Sequence, residues 1–184
     1  MKLRLAVILG LTAAGLAFVF ILTSGSGEAE DSSERPIMWS FDLRDLHRVE
    51  IALPQDQLAE TWFHVDRVWY FDRPGRPLVD MDRWGGAVPY LLSGPGANRL
   101  IMEDAADDDL DLFGLLAPRM TIHLEHDGEH GDSAGTVVLV IGDETPDSFS
   151  FYLQLVGTGR GYPVARAGYE VMERLVVEPP YLPR

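Results

Sequence analysis

The densest charge in the chain lies at Glu103, Asp104, Asp107, Asp108, Asp109 and Asp111, six carboxylates within nine residues. Such a run offers the oxygen ligands that Ca²⁺ favours, and Asp107, Asp109 and Asp111 keep the first three ligand spacings of an EF-hand loop. The template then breaks: Leu112 stands where that loop turns on glycine, and Pro118 where it needs a bidentate glutamate. The run therefore reads as a solvated acidic loop, with a weak cation site and a partner-docking patch as its alternatives. A second cluster, His123, His126 and His130, places three histidines within eight residues. Imidazole is a frequent metal ligand, but on a continuing strand His123 and His126 fall on opposite faces. Their spacing also misses the i, i+4 pair of helical zinc motifs. This cluster reads as an exposed hairpin tip, with metal binding as the alternative.

Other chemistry is excluded by residue type. The chain has no cysteine, which removes disulfides, thiol catalysis and Cys-ligated zinc. Lys2 is the only lysine, which removes Schiff-base chemistry and a P-loop lysine. No Gly-x-Ser-x-Gly occurs. Gly157, Gly159 and Gly161 precede a strand pattern, so they read as a hairpin turn and not as a dinucleotide fingerprint. No cofactor, metal or catalytic residue is expected. The 184 residues carry 29 acids and 15 bases, a formal charge of −14. That balance argues against a nucleic-acid partner, because phosphate binding needs a basic face.

Residues 5–22 form an apolar run of 18, preceded by Lys2 and Arg4 and followed by no acid before Glu28. At about 1.5 Å per helical residue the run spans roughly 27 Å, close to a hydrocarbon core. Positive charge before it and acids after it orient the N-terminus to the cytoplasm. Residues 1–22 thus read as a cytoplasmic tip and single-pass anchor of the inner (cytoplasmic) membrane; a cleaved signal peptide is the rival reading. Residues 23–36, rich in Ser, Gly and acids, read as a flexible tether. Residues 37–184 remain as an extracytoplasmic, periplasmic domain.

That domain reads as α+β: a mainly antiparallel sheet with two short helices. Alternating or aromatic-rich stretches predict strands at 49–53, 61–65, 68–71, 99–102, 120–124, 149–156 and 162–166. The nearly continuous apolar stretch 136–141 predicts a central strand covered on both faces. Helical spacing joins Met81, Trp84, Val88, Leu91 and Leu92, interrupted by Gly85, Gly86 and Pro89. Val171, Met172, Leu175 and Val176 form a second stripe. Segments 49–92 and 120–177 share the order strands, then helix, which is compatible with a two-part repeat.

The run Asp111-Leu112-Phe113-Gly114-Leu115 with Pro118, then Ile141-Gly142-Asp143, Tyr152 and Tyr162-Pro163-Val164, together with Trp69 before a proline turn, resembles an uncharacterised bacterial domain-of-unknown-function family. The resemblance covers about 43–177. It implies one N-terminal membrane helix, an extracytoplasmic β-rich body and, for several members, genes beside gliding-motility-type ABC transporter components. It carries over no catalytic residue.

A retained anchor, a short tether and a body without evident catalytic groups suit a non-enzymatic accessory or structural subunit of a larger membrane protein complex, such as a transporter, respiratory or photosynthetic assembly. An extracytoplasmic module binding a glycan, peptide or small solute is the alternative, and a metal-dependent enzyme using the acidic or histidine cluster a third. Ile37, Met38, Trp39 and Phe41 crowd an apolar cluster just after the tether and are the expected partner-docking anchors. If residues 5–22 are retained, the native protein begins near Met1 and resists alkaline carbonate extraction. N-terminal sequencing that finds a soluble form starting between Ser24 and Asp31 excludes the anchor.

Overall fold

The computed structural model describes residues 41–84, 92, 99–128 and 134–182, all within the compact unit Arg35–Arg184. The expected anchor and tether, Ile37, Met38, Trp39, His130, and Gly85, Gly86 and Pro89 lie outside the described residues. Among the described residues no helix is long and apolar enough to cross a membrane.

The chain forms an α+β body: one seven-stranded antiparallel sheet and three short α-helices. A 3-10 turn at Leu43–Asp45 leads into β1 (Leu46–Leu53), followed by β2 (Leu58–Val65) and β3 (Val68–Phe71). Asp66 and Arg67 turn the β2–β3 hairpin with φ of 50° and 66°. Two left-handed residues match the right-handed twist of paired strands, which is why so short a loop closes here. After β3 the chain folds back along it, with Phe71 N donating to Pro77 O at 2.9 Å and Val79 N to Trp69 O at 3.1 Å. Helix α1 (Met81–Trp84) follows. The second half comprises α2 (Asp107–Leu112), β4 (Met120–His126), β5 (Gly135–Glu144), β6 (Ser150–Leu155), β7 (Arg160–Ala165) and α3 (Arg166–Val177). Strand order is β3-β2-β1-β4-β5-β6-β7, so two meanders join at the β1–β4 pair.

Alternation places one residue in two on the core side. Val49, Ile51 and Leu53 of β1, Met120, Ile122 and Leu124 of β4, and Leu139 and Ile141 of β5 are at most 1% exposed. Trp62, Trp69 and Trp84 join them; Trp62 meets Trp84 edge-on at 5.0 Å between ring centroids. Helix α3 covers this side through Tyr169, Met172, Leu175 and Val176. Val171, expected in that stripe, is 44% exposed; Tyr169, one turn earlier, takes its place by stacking on Phe151 at 4.2 Å.

Three further expectations are corrected. The acidic run is not a loop throughout: Asp107–Leu112 is helical. Carboxylates in a first turn meet the positive end of the helix dipole, and Asp109 Oδ2 accepts the Ala106 N–H at 3.2 Å. This raises the helix count from two to three. Residues 99–102 form no strand. Met102 makes an isolated bridge to Gly161, a position that must lack a Cβ because one would lie 2.0 Å from the Met102 side chain. Finally, β5 is buried on one face only: Leu139 and Ile141 are covered, whereas Val138 and Val140 are half-buried.

Tyr169 is 7% exposed and donates its hydroxyl to Glu173 Oε1 at 3.1 Å. Burial, reinforced by the Glu173 carboxylate, pushes its hydroxyl from 10.0 up to about 12. The folded chain thus keeps a proton that the unfolded chain releases earlier. Stability from this group is whole below pH 10.0 and falls as pH rises towards about 12. Melts across that window should fall less steeply for Tyr169→Phe than for the native chain.

Candidate functional site

The helix separates the acidic candidates. At about 100° per residue, Asp107 and Asp111 share a side of α2 and Asp109 faces away from it. Among the described residues no group of three His, Cys, Asp or Glu side chains is placed to hold a metal ion. His123 and His126 lie on opposite faces of β4, as its alternation requires. His126 stacks on Phe41 with ring centroids 4.7 Å apart and planes 5° from parallel. Phe41 is 6% exposed, so of the four expected docking anchors the one described belongs to the domain's own core. An aromatic ring beside a flat imidazole buries more area there than it would in solvent.

His123 points to the other face of the sheet, in a row with Glu50 of β1 and Val138 of β5. Among the described elements this face is covered only at its β5–β7 corner. There Phe113 packs on Tyr152 at 4.3 Å, and the backbone at Gly114 lies on Gly142, so tightly that a Cβ at Gly142 would fall 2.2 Å from Phe113 O. The remaining face shows half-buried side chains: Phe63 and Tyr70 stacked at 5.6 Å, Thr121, Val138 and Val140. Some of its charges are paired, whereas Glu50 has no ion pair among the described residues. Arg48 bonds Asp72 Oδ2 at 2.7 Å and reaches Glu125 Oε1 at 3.6 Å, and His47 reaches the other oxygen of Glu125 at 3.5 Å. The surface is broad and amphipathic.

The opposite edge of the core holds Glu60, which with Asp45 is one of two buried carboxylates, among the described residues, that the sequence reading missed. Glu60 is 3% exposed, ion-paired with Arg73, and accepts a long 3.5 Å bond from the Tyr181 hydroxyl. Tyr181 stacks on Phe71 at 4.2 Å beneath the Arg73 guanidinium. Burial, then the Glu60 carboxylate, pushes the Tyr181 hydroxyl above its ordinary value. The tail bearing Tyr181 is fixed by backbone bonds, Asp80 N to Pro180 O at 2.7 Å and Leu182 N to Leu78 O at 3.3 Å. A signal was present: Glu60 is in phase with Trp62 on β2 and therefore faces the core.

The fold defines a class, an antiparallel α+β body, whose sheet has one face covered by α3 and the other largely open among the described residues. Comparison with known proteins adds no relative: no family model, no curated protein and no solved structure matches the chain.

Removing Arg73 leaves the Glu60 charge buried and uncompensated, whereas Arg73, with its side chain 48% exposed, can turn to water when Glu60 is removed. Arg73→Ala should therefore cost about 3 kcal/mol in urea unfolding, and Glu60→Gln distinctly less.

Proposed function

We propose that the protein is a non-enzymatic, membrane-anchored accessory subunit of a larger membrane protein complex, of transporter, respiratory or photosynthetic type, with its body outside the cytoplasmic membrane. The observation that carries this reading is the open sheet face. Helix α3 covers one side of the sheet, and among the described residues the other presents aromatic and β-branched side chains between charges that are partly paired. Such a surface gains from apolar burial when it is covered. A tether of about fourteen residues would keep the body beside neighbouring membrane proteins at high local concentration. A second reading, a binding module for a peptide or small solute, draws on a groove of about 630 Å³ beside Pro74, Pro77 and Tyr181.

The test is co-purification of the full-length chain from gently solubilised membranes, compared with Val140→Arg. The expected result is a stoichiometric complex that the variant weakens at least about tenfold, the cost of one buried anchor, with melting unchanged. A monomeric native chain, or a variant that associates normally, overturns the reading.

A further inference from the structure

The three most exposed large apolar side chains among the described residues are Phe149 at 76%, Leu112 at 73% and Leu116 at 57%. All three lie at one end of the sheet. Leu112 closes α2, whose following residue Phe113 accepts the Asp143 N–H at 2.8 Å; β5 then runs directly into the turn that carries Phe149. This is the end where β4 begins at Met120. The chain comes into the sheet at the other end, where Phe41 stacks on His126, the last residue of β4. At about 3.3 Å per strand residue the two ends are on the order of 20 Å apart.

Phe149 is held in place although its ring is in solvent. Its N–H bonds Asp147 Oδ1 at 3.0 Å, its carbonyl accepts Arg166 N at 2.9 Å, and the preceding Ser148 carbonyl accepts Arg166 Nε at 2.9 Å. Thr145 Oγ1 donates to Asp147 Oδ1 at 2.6 Å and accepts from Ser150 N at 3.2 Å. Ser148 sits at φ 62°, a left-handed conformation that these bonds sustain. Arg166 is also ion-paired with Glu144. The hydrogen bonds from Thr145 and from the Phe149 amide hold the Asp147 carboxyl below its ordinary range, so this brace stays charged at neutral pH. A turn this heavily braced does nothing for the core through Phe149, yet it fixes where the ring stands.

We propose that this tip is a preformed docking anchor, in which Phe149, Leu112 and Leu116 enter an apolar pocket of a protein partner rimmed by arginine or lysine. The chemistry of the rim follows from charge. Four carboxylates of α2, Asp107, Asp108, Asp109 and Asp111, lead up to Leu112, and none of them is ion-paired among the described residues. Of the cations at the tip, Arg119 and Arg166 are taken up by Asp143 and Glu144, and Arg99 acts on the Asp147 carboxylate. The same acidity repels anionic lipid, which selects a protein over a membrane surface. Because the anchor is already ordered, binding loses little conformational entropy there.

The inference rests on the accessory-subunit reading and adds a second contact to it. The test places a photoreactive benzophenone amino acid at position 149 or 112 of the tip, at 65 on the open face or, as a control, at 177 on α3, in the full-length chain in its native membranes. Positions 149 and 112, but not 177, should cross-link to one polypeptide at a segment containing arginine or lysine. Phe149→Ala should weaken association about 30-fold with an unchanged melt. Asn at Asp107, Asp108 and Asp111 should weaken it further and flatten its salt dependence. Cross-links to lipid or to a second copy of the chain, or normal association of Phe149→Ala within a complex that Val140→Arg disrupts, overturn the tip and leave the accessory reading standing. No protein product from any position overturns both.

Discussion

The pairing of β1 with β4 governs the rest of the structure. Ile51 lies opposite Ile122 and Val49 opposite Leu124, and all four are fully buried. Each strand also belongs to its own meander, so the register at this one seam sets which face every other strand turns to the core. A slip of one residue would carry Glu50 and His123 inward and send the isoleucines into water. Burying that acid without a partner would cost more than the slip could return. The bulge between Leu46 and Arg48 sits at the end of the seam, where both Leu46 and Val49, three residues apart, reach the core.

From that register follows the asymmetry of the two faces. The core side gathers three tryptophans and α3, and Glu60 is taken in where Arg73 and Tyr181 close over it. The other side keeps part of its charge in surface pairs, which contribute little to stability individually. The tip differs again: among the described residues Asp143 and Glu144 are ion-paired, the α2 acids are not, and Phe149, Leu112 and Leu116 stand in solvent.

Much of the sheet could be read from residue order because period-2 alternation directly reports which face is buried, as at Met120, Ile122 and Leu124. Asp66-Arg67 and Gly157-Thr158-Gly159 marked hairpins because tight turns need left-handed residues, and Gly157 and Gly159 have φ of 85° and 68°. The helix at Asp107–Leu112 was hidden because its stability comes from dipole and cap effects, which a hydrophobic pattern does not register. The one-sided burial of β5 was hidden because valines pack on either face of a sheet. The anchor role expected of Phe41 failed for a related reason: an apolar cluster beside a polar linker does not say whether its own core or another protein covers it. The alternation at 149–156 put Phe149 in phase with the buried Phe151 and Leu153, yet β6 begins only at Ser150 and Phe149 is exposed. Its exposure depends on a turn whose braces, Asp147, Thr145 and Arg166, come together only after β7 returns beside β6.

An open sheet has two margins, and here both are occupied by short pieces of chain. Beside β3, Leu78 bridges Tyr70 and Tyr181 in turn bridges Val79; beside β7, Met102 bridges Gly161 and Ala105 N donates to Gly159 O at 3.0 Å. Neither piece is long enough to template a further strand, and each uses up the backbone donors and acceptors that a neighbouring molecule would need. The body is thereby protected from growing edge to edge into fibrils. It can be held crowded at a surface and still associate only through its faces and its tip.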